Sequence, residues 1–123
     1  MSSKILIVDD SELVLAMASD ALKAAGFEVF TATNGIEANS YIYSTTNKPD
    51  LIILDIMMPL LDGNKKAKIL KQQNHSQDIP IVFISSKSEA ELVKLVQEAG
   101  VDDYICKPFT PQSIVNCVTK LLK

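Results

Sequence analysis

Five short apolar runs recur along the chain, and each is followed by a stretch with helical character. The first, third and fourth runs are nearly unbroken and rich in Ile, Val and Leu, which is typical of strands covered on both faces. The second run alternates more, which indicates a strand at the edge of a sheet. The runs are 5–8, 27–32, 51–54, 81–84 and 104–106. Strict alternation with short loops predicts an α/β fold of (βα)₅ order with parallel strands and right-handed crossovers.

The helical stretches differ in the strength of their boundary signals. Ser88 and Glu91 have the spacing of a capping box. Thr110 followed by Pro111 is typical of an N-cap with proline in the first turn. The second and third stretches are weaker because their middles are polar. The predicted helices are 12–25, 35–46, 64–74, 88–99 and a last helix that begins at 110–111.

Length and composition indicate one ordinary domain spanning residues 1–123. Its 123 residues are 47% hydrophobic, which is enough for a two- or three-layer core. The net charge of −3 argues against broad nucleic-acid binding, and the lack of Arg excludes bidentate Arg clamps on phosphate. Neither the two cysteines nor any apolar run suggests a disulfide framework, a signal peptide or a membrane span. We therefore expect a cytoplasmic protein that contacts neither membrane nor nucleic acid directly.

Polar residues end four of the predicted strands. They are Asp9 and Asp10 after the first, Asp55 after the third, Ser85 after the fourth and Lys107 after the fifth. Because parallel α/β sheets bind ligands at the carboxyl ends of their strands, we expect these side chains to converge. Three carboxylates repel one another unless a cation intervenes, and Mg²⁺ suits carboxylates together with a phosphate oxygen. The set indicates phosphoryl transfer, with a carboxylate nucleophile, a metal and a cationic clamp. Taken singly, each Asp fits a helix N-cap or a solubilising loop residue equally well.

Four motifs in this order resemble those of response-regulator receiver domains over essentially the whole chain. They are ILIVDD at 5–10, LIILDIMMPLLDG at 51–63, IVFISS at 81–86 and GVDDYICKPF at 100–109. The resemblance implies a flavodoxin-like three-layer sandwich with the sheet order 2-1-3-4-5. In that order the first and third strands are neighbours, which brings their acidic residues together.

The resemblance also implies a role for each acidic residue. Asp55 accepts a phosphoryl group from the phosphohistidine of a histidine kinase or a histidine phosphotransfer protein. Asp10, Asp55 and the backbone carbonyl of Met57 bind Mg²⁺ directly, and Asp9 acts on the metal through water. Lys107 pairs with a phosphoryl oxygen. The domain is then a signal receiver rather than an enzyme.

A switch follows from the same resemblance. Ser85 bonds a second phosphoryl oxygen and moves toward it, and Tyr104 turns inward as a result. Pro108 follows a cis peptide bond that directs Lys107 into the site. A phosphoryl group favours one packing only through contacts that differ between two states, and Ser85 and Lys107 supply such contacts. The surface of the fourth helix, fifth strand and fifth helix is then expected to bind a downstream protein.

Two further features lead to expectations. Apolar Met57 cannot orient a water by hydrogen bonding, so we expect slow self-dephosphorylation. The third helix is basic, and its lysines form either a solvated face or a docking surface for an acidic partner. These lysines are Lys65, Lys66, Lys68 and Lys71. The single histidine, His75, falls in a polar loop and is expected to be exposed.

Other functions fit less well. A phosphatase with an aspartyl nucleophile would need Asp-x-Asp after the first strand, whereas the chain has Asp9-Asp10-Ser11. A degenerate receiver that only binds partners would not need the complete set of site residues. The sequence contains neither of the two glycine-rich nucleotide-binding patterns, G-x-x-x-x-G-K-[ST] and G-x-G-x-x-G. A stand-alone regulator is the preferred expectation, and the N-terminal receiver of a longer regulator is the alternative.

Overall fold

The computed structural model describes residues 2–58 and 62–122. Within them, five parallel strands form one sheet in the order β2-β1-β3-β4-β5. The strands are β1 (Lys4–Val8), β2 (Glu28–Ala32), β3 (Leu51–Asp55), β4 (Ile81–Ser85) and β5 (Asp103–Cys106). The helices are α1 (Glu12–Ala24), α2 (Gly35–Ile42), α3 (Gly63–Gln72), α4 (Glu89–Ala99) and α5 (Pro111–Leu121). The predicted flavodoxin-like (βα)₅ fold, its sheet order and the edge position of the second strand are confirmed.

Alternating side chains of the central strands feed two separate cores, one on each face of the sheet. Ile5, Ile7 and Ile53 pack with α1 and α5, whereas Leu6, Leu54 and their neighbours pack with α2, α3 and α4. All five residues of β3 and of β4 are buried, as expected for strands covered on both faces. The sheet is therefore the middle of three layers, and only its edges are open.

The second predicted helix ends earlier than expected. The periodicity predicts 35–46, but α2 stops at Ile42. Ser44 Oγ accepts hydrogen bonds from the N–H groups of Thr46 and Asn47, at 3.2 and 2.9 Å. This side-chain turn gives the backbone an alternative to further helix, which is the usual effect of Ser and Thr at such positions.

The third helix begins one residue before the predicted start at 64. Asp62 is its N-cap, and its Oδ1 accepts from Lys65 N at 3.0 Å. Gly63 packs against the end of β3, where an added Cβ would lie 2.9 Å from the Asp55 carbonyl oxygen and from Ile56 Cα. The start of α3 is thus seated directly on the strand that ends in Asp55. Residues 59–61 of the predicted loop lie outside the described residues.

Among residues 2–58 and 62–122, no helix combines the length and the apolar character needed to cross a membrane.

Candidate functional site

The candidate site lies at the carboxyl edge of the sheet. Asp55 and Ser85 are the last residues of β3 and β4, and Asp9 follows the last residue of β1. These polar side chains are almost completely buried, with exposed fractions of 0% for Asp9, 3% for Asp55 and 1% for Ser85. Across the part of the chain that the structure describes, the other buried polar residues are Ser19 and Ser76. Burial of polar groups is therefore concentrated at this edge.

Backbone N–H groups hold two of the three carboxylates. Asp9 Oδ1 accepts from Ser11 N, and Asp55 Oδ1 accepts from Met57 N, each at 2.9 Å. One carboxylate oxygen from each of Asp9, Asp10 and Asp55 lies within 4.8 Å of the others. Asp10 is exposed, whereas the other two are buried. The structure thus brings together the three acidic residues that the sequence predicts.

Lys107 reaches both buried carboxylates. Its Nζ lies 2.8 Å from Asp9 Oδ2 and 3.4 Å from Asp55 Oδ2. The backbone holds this lysine in place, since Lys107 N donates to Ser85 O at 2.7 Å. The peptide bond between Lys107 and Pro108 is cis, the isomer that the resemblance implies. One ammonium is therefore shared between two acids at the end of the edge strand β5.

The electrostatics of the pair follow from burial. Burial raises the pKa of the Asp55 carboxyl, the Met57 N–H opposes this rise, Asp9 adds to it and Lys107 reduces it. For Lys107, burial alone would lower the pKa of the ammonium. The contact with Asp9 and the negative charges of Asp55 and Asp9 outweigh burial, so the pKa of Lys107 is raised overall. The ammonium is therefore held in its charged form beside the carboxylates.

The acidic cluster fits a hard divalent cation. Three carboxylates and one ammonium leave a formal charge of −2 in a space where all the candidate ligand atoms are oxygens. Asp9 Oδ2 makes an ion pair with Lys107 but no well-aligned hydrogen bond within the described residues, so it keeps lone pairs for a cation. Asp9, Asp10 and Asp55 would hold Mg²⁺. For Met57, the structure shows the backbone N–H bound to Asp55, and its carbonyl as a ligand remains a prediction.

Ser85 and Tyr104 lie on the face of the sheet opposite to that of Asp55. Ser85 continues the alternation of Ile81 and Phe83, which belong to the core beneath α2, α3 and α4, and Tyr104 packs against that same core. Ser85 Oγ accepts a hydrogen bond from Lys87 N at 3.1 Å. Tyr104 is half-buried and sits on the edge strand. The predicted switch pair is therefore on one face, next to α4.

An apolar cleft beside the site was missed by the sequence reasoning. Leu13 is 70% exposed and Met17 is 45% exposed, one helical turn apart on α1. They border a cavity of about 300 Å³. Its lining residues are Leu13, Val14, Met17, Ser86, Lys107, Pro108 and Phe109. The available signal was the i, i+4 pair Leu13 and Met17, which lies off the buried stripe of α1.

The basic helix α3 is partly committed to structural contacts. Lys66 Nζ donates to Asn39 Oδ1 at 2.6 Å, and Lys71 Nζ lies 2.9 Å from Asp102 Oδ2. Lys65 and Lys68 are exposed. The arrangement favours the solvated-face interpretation for this helix. His75 is exposed as expected, although its Nε2 lies 2.7 Å from the carbonyl oxygen of Ile42.

Comparison with known proteins identifies the family and the fold of the chain. A family model described as the response regulator receiver domain matches residues 5–119. The chain is 40% identical to the alkaline phosphatase synthesis transcriptional regulatory protein PhoP of Bacillus subtilis, over 100% of this chain and 50% of that protein. It is also 40% identical to the phosphate regulon transcriptional regulatory protein PhoB of Pseudomonas aeruginosa, over 97% of this chain and 51% of that protein. The chain spans about half the length of these relatives.

A solved structure supports the same assignment. The chemotaxis response regulator CheY4 of Vibrio cholerae superimposes with a TM-score of 0.89 at 30% identity, covering 99% of this chain and 100% of that one. Receiver domains are phosphoryl-accepting modules of two-component systems, which implies a kinase partner, and they typically bind Mg²⁺ at an acidic pocket. The chain belongs to the response regulator receiver domain family.

Proposed function

We propose that Asp55 accepts a phosphoryl group from a phosphohistidine on a kinase or phosphotransfer protein, in a Mg²⁺-dependent reaction in the cytoplasm. The observation that carries this proposal is the position of Lys107, whose ammonium contacts both buried carboxylates. Ser85 supplies a buried hydroxyl at the same edge. A nucleophile, a cation and a hydroxyl donor are the groups that phosphoryl transfer requires.

The transfer exchanges one bond for another. A carboxylate oxygen of Asp55 forms a bond to phosphorus while the bond from phosphorus to the partner's imidazole nitrogen breaks. The electron pair of that bond leaves with the imidazole, which then takes a proton from solvent. When bound, Mg²⁺ neutralises negative charge on the phosphoryl oxygens.

The residues around Asp55 hold the acceptor ready for this step. The Met57 N–H fixes one Asp55 oxygen at 2.9 Å, so the carboxylate has one orientation. Lys107 moves from the carboxylates to the incoming phosphoryl oxygens without leaving the cluster, because its Nζ is already within 3.4 Å of both acids. The site therefore needs little rearrangement before transfer, which favours reaction.

The donor is proposed to dock on the cleft beside α1. Leu13 and Met17 expose apolar surface next to Lys107, so a partner with a matching apolar surface would bring its phosphohistidine toward Asp55. A small acyl phosphate needs no such docking. The cleft therefore affects transfer from a protein donor and not labelling by a small donor.

The output is proposed to pass through the surface of α4, β5 and α5. Ser85 ends β4, and Lys107 directly follows β5, so both phosphoryl contacts lie next to these elements. When Ser85 and Lys107 move toward the phosphoryl group, Tyr104 is the neighbouring side chain positioned to respond. A downstream protein partner is expected to read the changed surface.

The length of the relatives favours the longer-regulator alternative for the whole protein. PhoP and PhoB are described as transcriptional regulatory proteins, and the chain matches about half of each. We propose that this receiver controls an effector region in a longer protein, which would make the nucleic-acid contacts. Reading the gene beyond the codon for Lys123 tests this, since a stop codon there would contradict it.

One experiment tests the acceptor. The protein is incubated with Mg²⁺ and acetyl phosphate, and intact-mass spectrometry is used to look for one added phosphoryl group. We expect the adduct in wild type and in Asp78→Asn, a control at an exposed carboxylate, and its loss in Asp55→Asn. An adduct that persists in Asp55→Asn, or sustained turnover of varied phosphomonoesters by wild type, would contradict the proposal.

A further inference from the structure

Tyr104 is held at the protein surface by the first residue of α4. Its Oη donates to Glu89 Oε1 at 2.6 Å, between residues on different elements. The contact with Glu89 is the largest of several influences that raise the pKa of Tyr104 to about 12, so the phenol remains a donor throughout the physiological range. A hydrogen bond to a charged acceptor is stronger than one between neutral groups. The outward position of Tyr104 is therefore specifically stabilised.

A short segment joins this contact to the phosphorylation site. Ser85 Oγ accepts from Lys87 N, and Ser88 caps the helix that begins at Glu89. If Ser85 turns its hydroxyl toward a phosphoryl oxygen, the Lys87 N–H loses its acceptor. The segment between Ser85 and Glu89 is only three residues long, so a shift at one end displaces the other.

The sheet register places Tyr104 next to Ser85. Ser85 is paired with Cys106 and Phe83 with Tyr104, so Tyr104 and Ser85 are diagonal neighbours on one face. The inward movement that the resemblance implies takes the ring toward Ser85, whereas its hydroxyl is bonded to Glu89 Oε1 at an exposed position, 2.6 Å away. A movement of the ring larger than a side-chain adjustment breaks this bond, since a hydrogen bond does not extend beyond about 3.5 Å.

We infer that Glu89 is a latch that holds Tyr104 outward in the unphosphorylated protein and that movement of Ser85 releases it. This inference rests on the proposed function, because it takes Asp55 phosphorylation as the event that moves Ser85. Glu89 does not touch the reacting atoms and is a positioning residue. Removing it lowers the cost of the inward state, and by reciprocity raises the affinity for any ligand that favours that state.

The test uses beryllofluoride, an analogue of the phosphoryl group, and protein labelled with fluorotyrosine. The chain has three tyrosines, and loss of one ¹⁹F resonance in Tyr104→Phe assigns the signal of Tyr104. Glu91→Ala is the matched control, because Glu91 is also an exposed acidic residue of the first turn of α4. It removes the same charge from the helix start as Glu89→Ala does. It also removes the contacts of Glu91 with Lys87 and Ser88, so it controls for loosening of the segment between Ser85 and Glu89 as well.

In Glu89→Ala without beryllofluoride, we expect the Tyr104 resonance to move toward its position in wild type saturated with Mg²⁺ and beryllofluoride. We also expect the affinity for beryllofluoride to rise by roughly three- to tenfold, the range that one hydrogen bond supports. Tyr104→Phe should give a similar rise, and combining it with Glu89→Ala should add little. Because Glu89 is exposed, folding is not expected to depend on it, and Tyr104→Phe provides an independent second variant.

The outcomes separate the two proposals. If Glu89→Ala matches Glu91→Ala in both measurements, the latch is wrong, although the acceptor proposal stands. If wild type binds beryllofluoride but its Tyr104 resonance does not move, the latch is wrong as well. If beryllofluoride binds Asp55→Asn as well as wild type, the proposed function fails, and the latch fails with it.

Discussion

Replacing Asp55 with Asn removes one negative charge from a cluster of three carboxylates and one ammonium. The pKa of the Asp55 carboxyl is raised in the folded protein, chiefly by burial. A carboxyl with a raised native pKa destabilises the fold at every pH at which it is ionised there. We therefore expect Asp55→Asn to stabilise the metal-free protein at neutral pH. The gain should shrink as the pH falls through the native pKa of Asp55.

The magnitude follows from the distances in the site. At 4.8 Å, the upper limit on the separation of the three carboxylate oxygens, and an effective dielectric constant of about 20, each of two neighbouring carboxylates repels Asp55 by about 3.5 kcal/mol. The attraction of Lys107 at 3.4 Å is about 5 kcal/mol on the same scale. The balance is unfavourable by about 2 kcal/mol, and exposure of Asp10 weakens its share. We expect a stabilisation of about 1–2 kcal/mol, or a rise in Tm of about 3–8 °C for a chain of 123 residues.

Urea denaturation followed by circular dichroism, with EDTA present, measures this difference directly. Asp78→Asn is the control, since it removes an exposed carboxylate outside the cluster. Adding Mg²⁺ at ten times its Kd should stabilise wild type by about 1.4 kcal/mol and Asp55→Asn by less. The difference in the free energy of unfolding between the two proteins should therefore become smaller when the metal is added.

The result that would refute the reasoning is an Asp55→Asn protein no more stable than wild type in EDTA. That outcome would mean that Lys107 and the Met57 N–H fully compensate the buried charge. A gap that stays constant when Mg²⁺ is added would show instead that the metal does not bind through Asp55.

Four further substitutions test the donor cleft, the decay of the phosphorylated form, the packing of α3 and one half-buried thiol. Replacing Leu13, which is 70% exposed, with Ser should slow phosphotransfer from a phosphohistidine protein about tenfold, and labelling by acetyl phosphate should stay unchanged in the same mass assay. Met57→Asn introduces a side chain that can orient water, so the phosphorylated protein should lose its phosphoryl group about tenfold faster than wild type when its decay is followed by mass spectrometry. Gly63→Ala places a Cβ against the backbone at the end of β3, and urea denaturation should show a loss of about 1–3 kcal/mol. Burial and the charge of Asp103 raise the pKa of Cys117 to about 12, so iodoacetamide should alkylate it slowly at pH 8 and faster in Asp103→Asn, as measured by peptide mass spectrometry.

The fold could be predicted because local and global signals agree. Long buried runs such as 51–54 and 81–84 indicate strands, and polar residues break each run at the same edge. The convergence of Asp9 and Asp55 follows once those strands are known to be neighbours. The apolar periodicity of the sequence did not predict where α2 ends. The reason is that a side-chain turn at Ser44 competes with the helix, and this turn does not alter the apolar pattern.

Side-chain contacts between different helices and strands could not be predicted from the sequence. The sharing of Lys107 between two acids depends on the path of the chain after β5. The bond from Tyr104 to Glu89 depends on how α4 crosses the edge strand, which no spacing encodes. Cys106 lies in an apolar run of the sequence, but it is only half-buried because β5 lies at the edge of the sheet.

The sheet separates the cleft proposed to bind the donor from the switch residue Tyr104. The cleft at Leu13 and Met17 lies with α1 on one side, whereas Tyr104 packs on the other side with α4. After a gene duplication, one copy can acquire a new donor through changes on α1 while Tyr104 and Glu89 stay as they were. Changes on the α4 side can likewise select a new target without altering the donor cleft, whereas α5 packs on the same side of the sheet as α1. In a domain arranged in this way, the choice of donor and the response of Tyr104 can change independently during evolution.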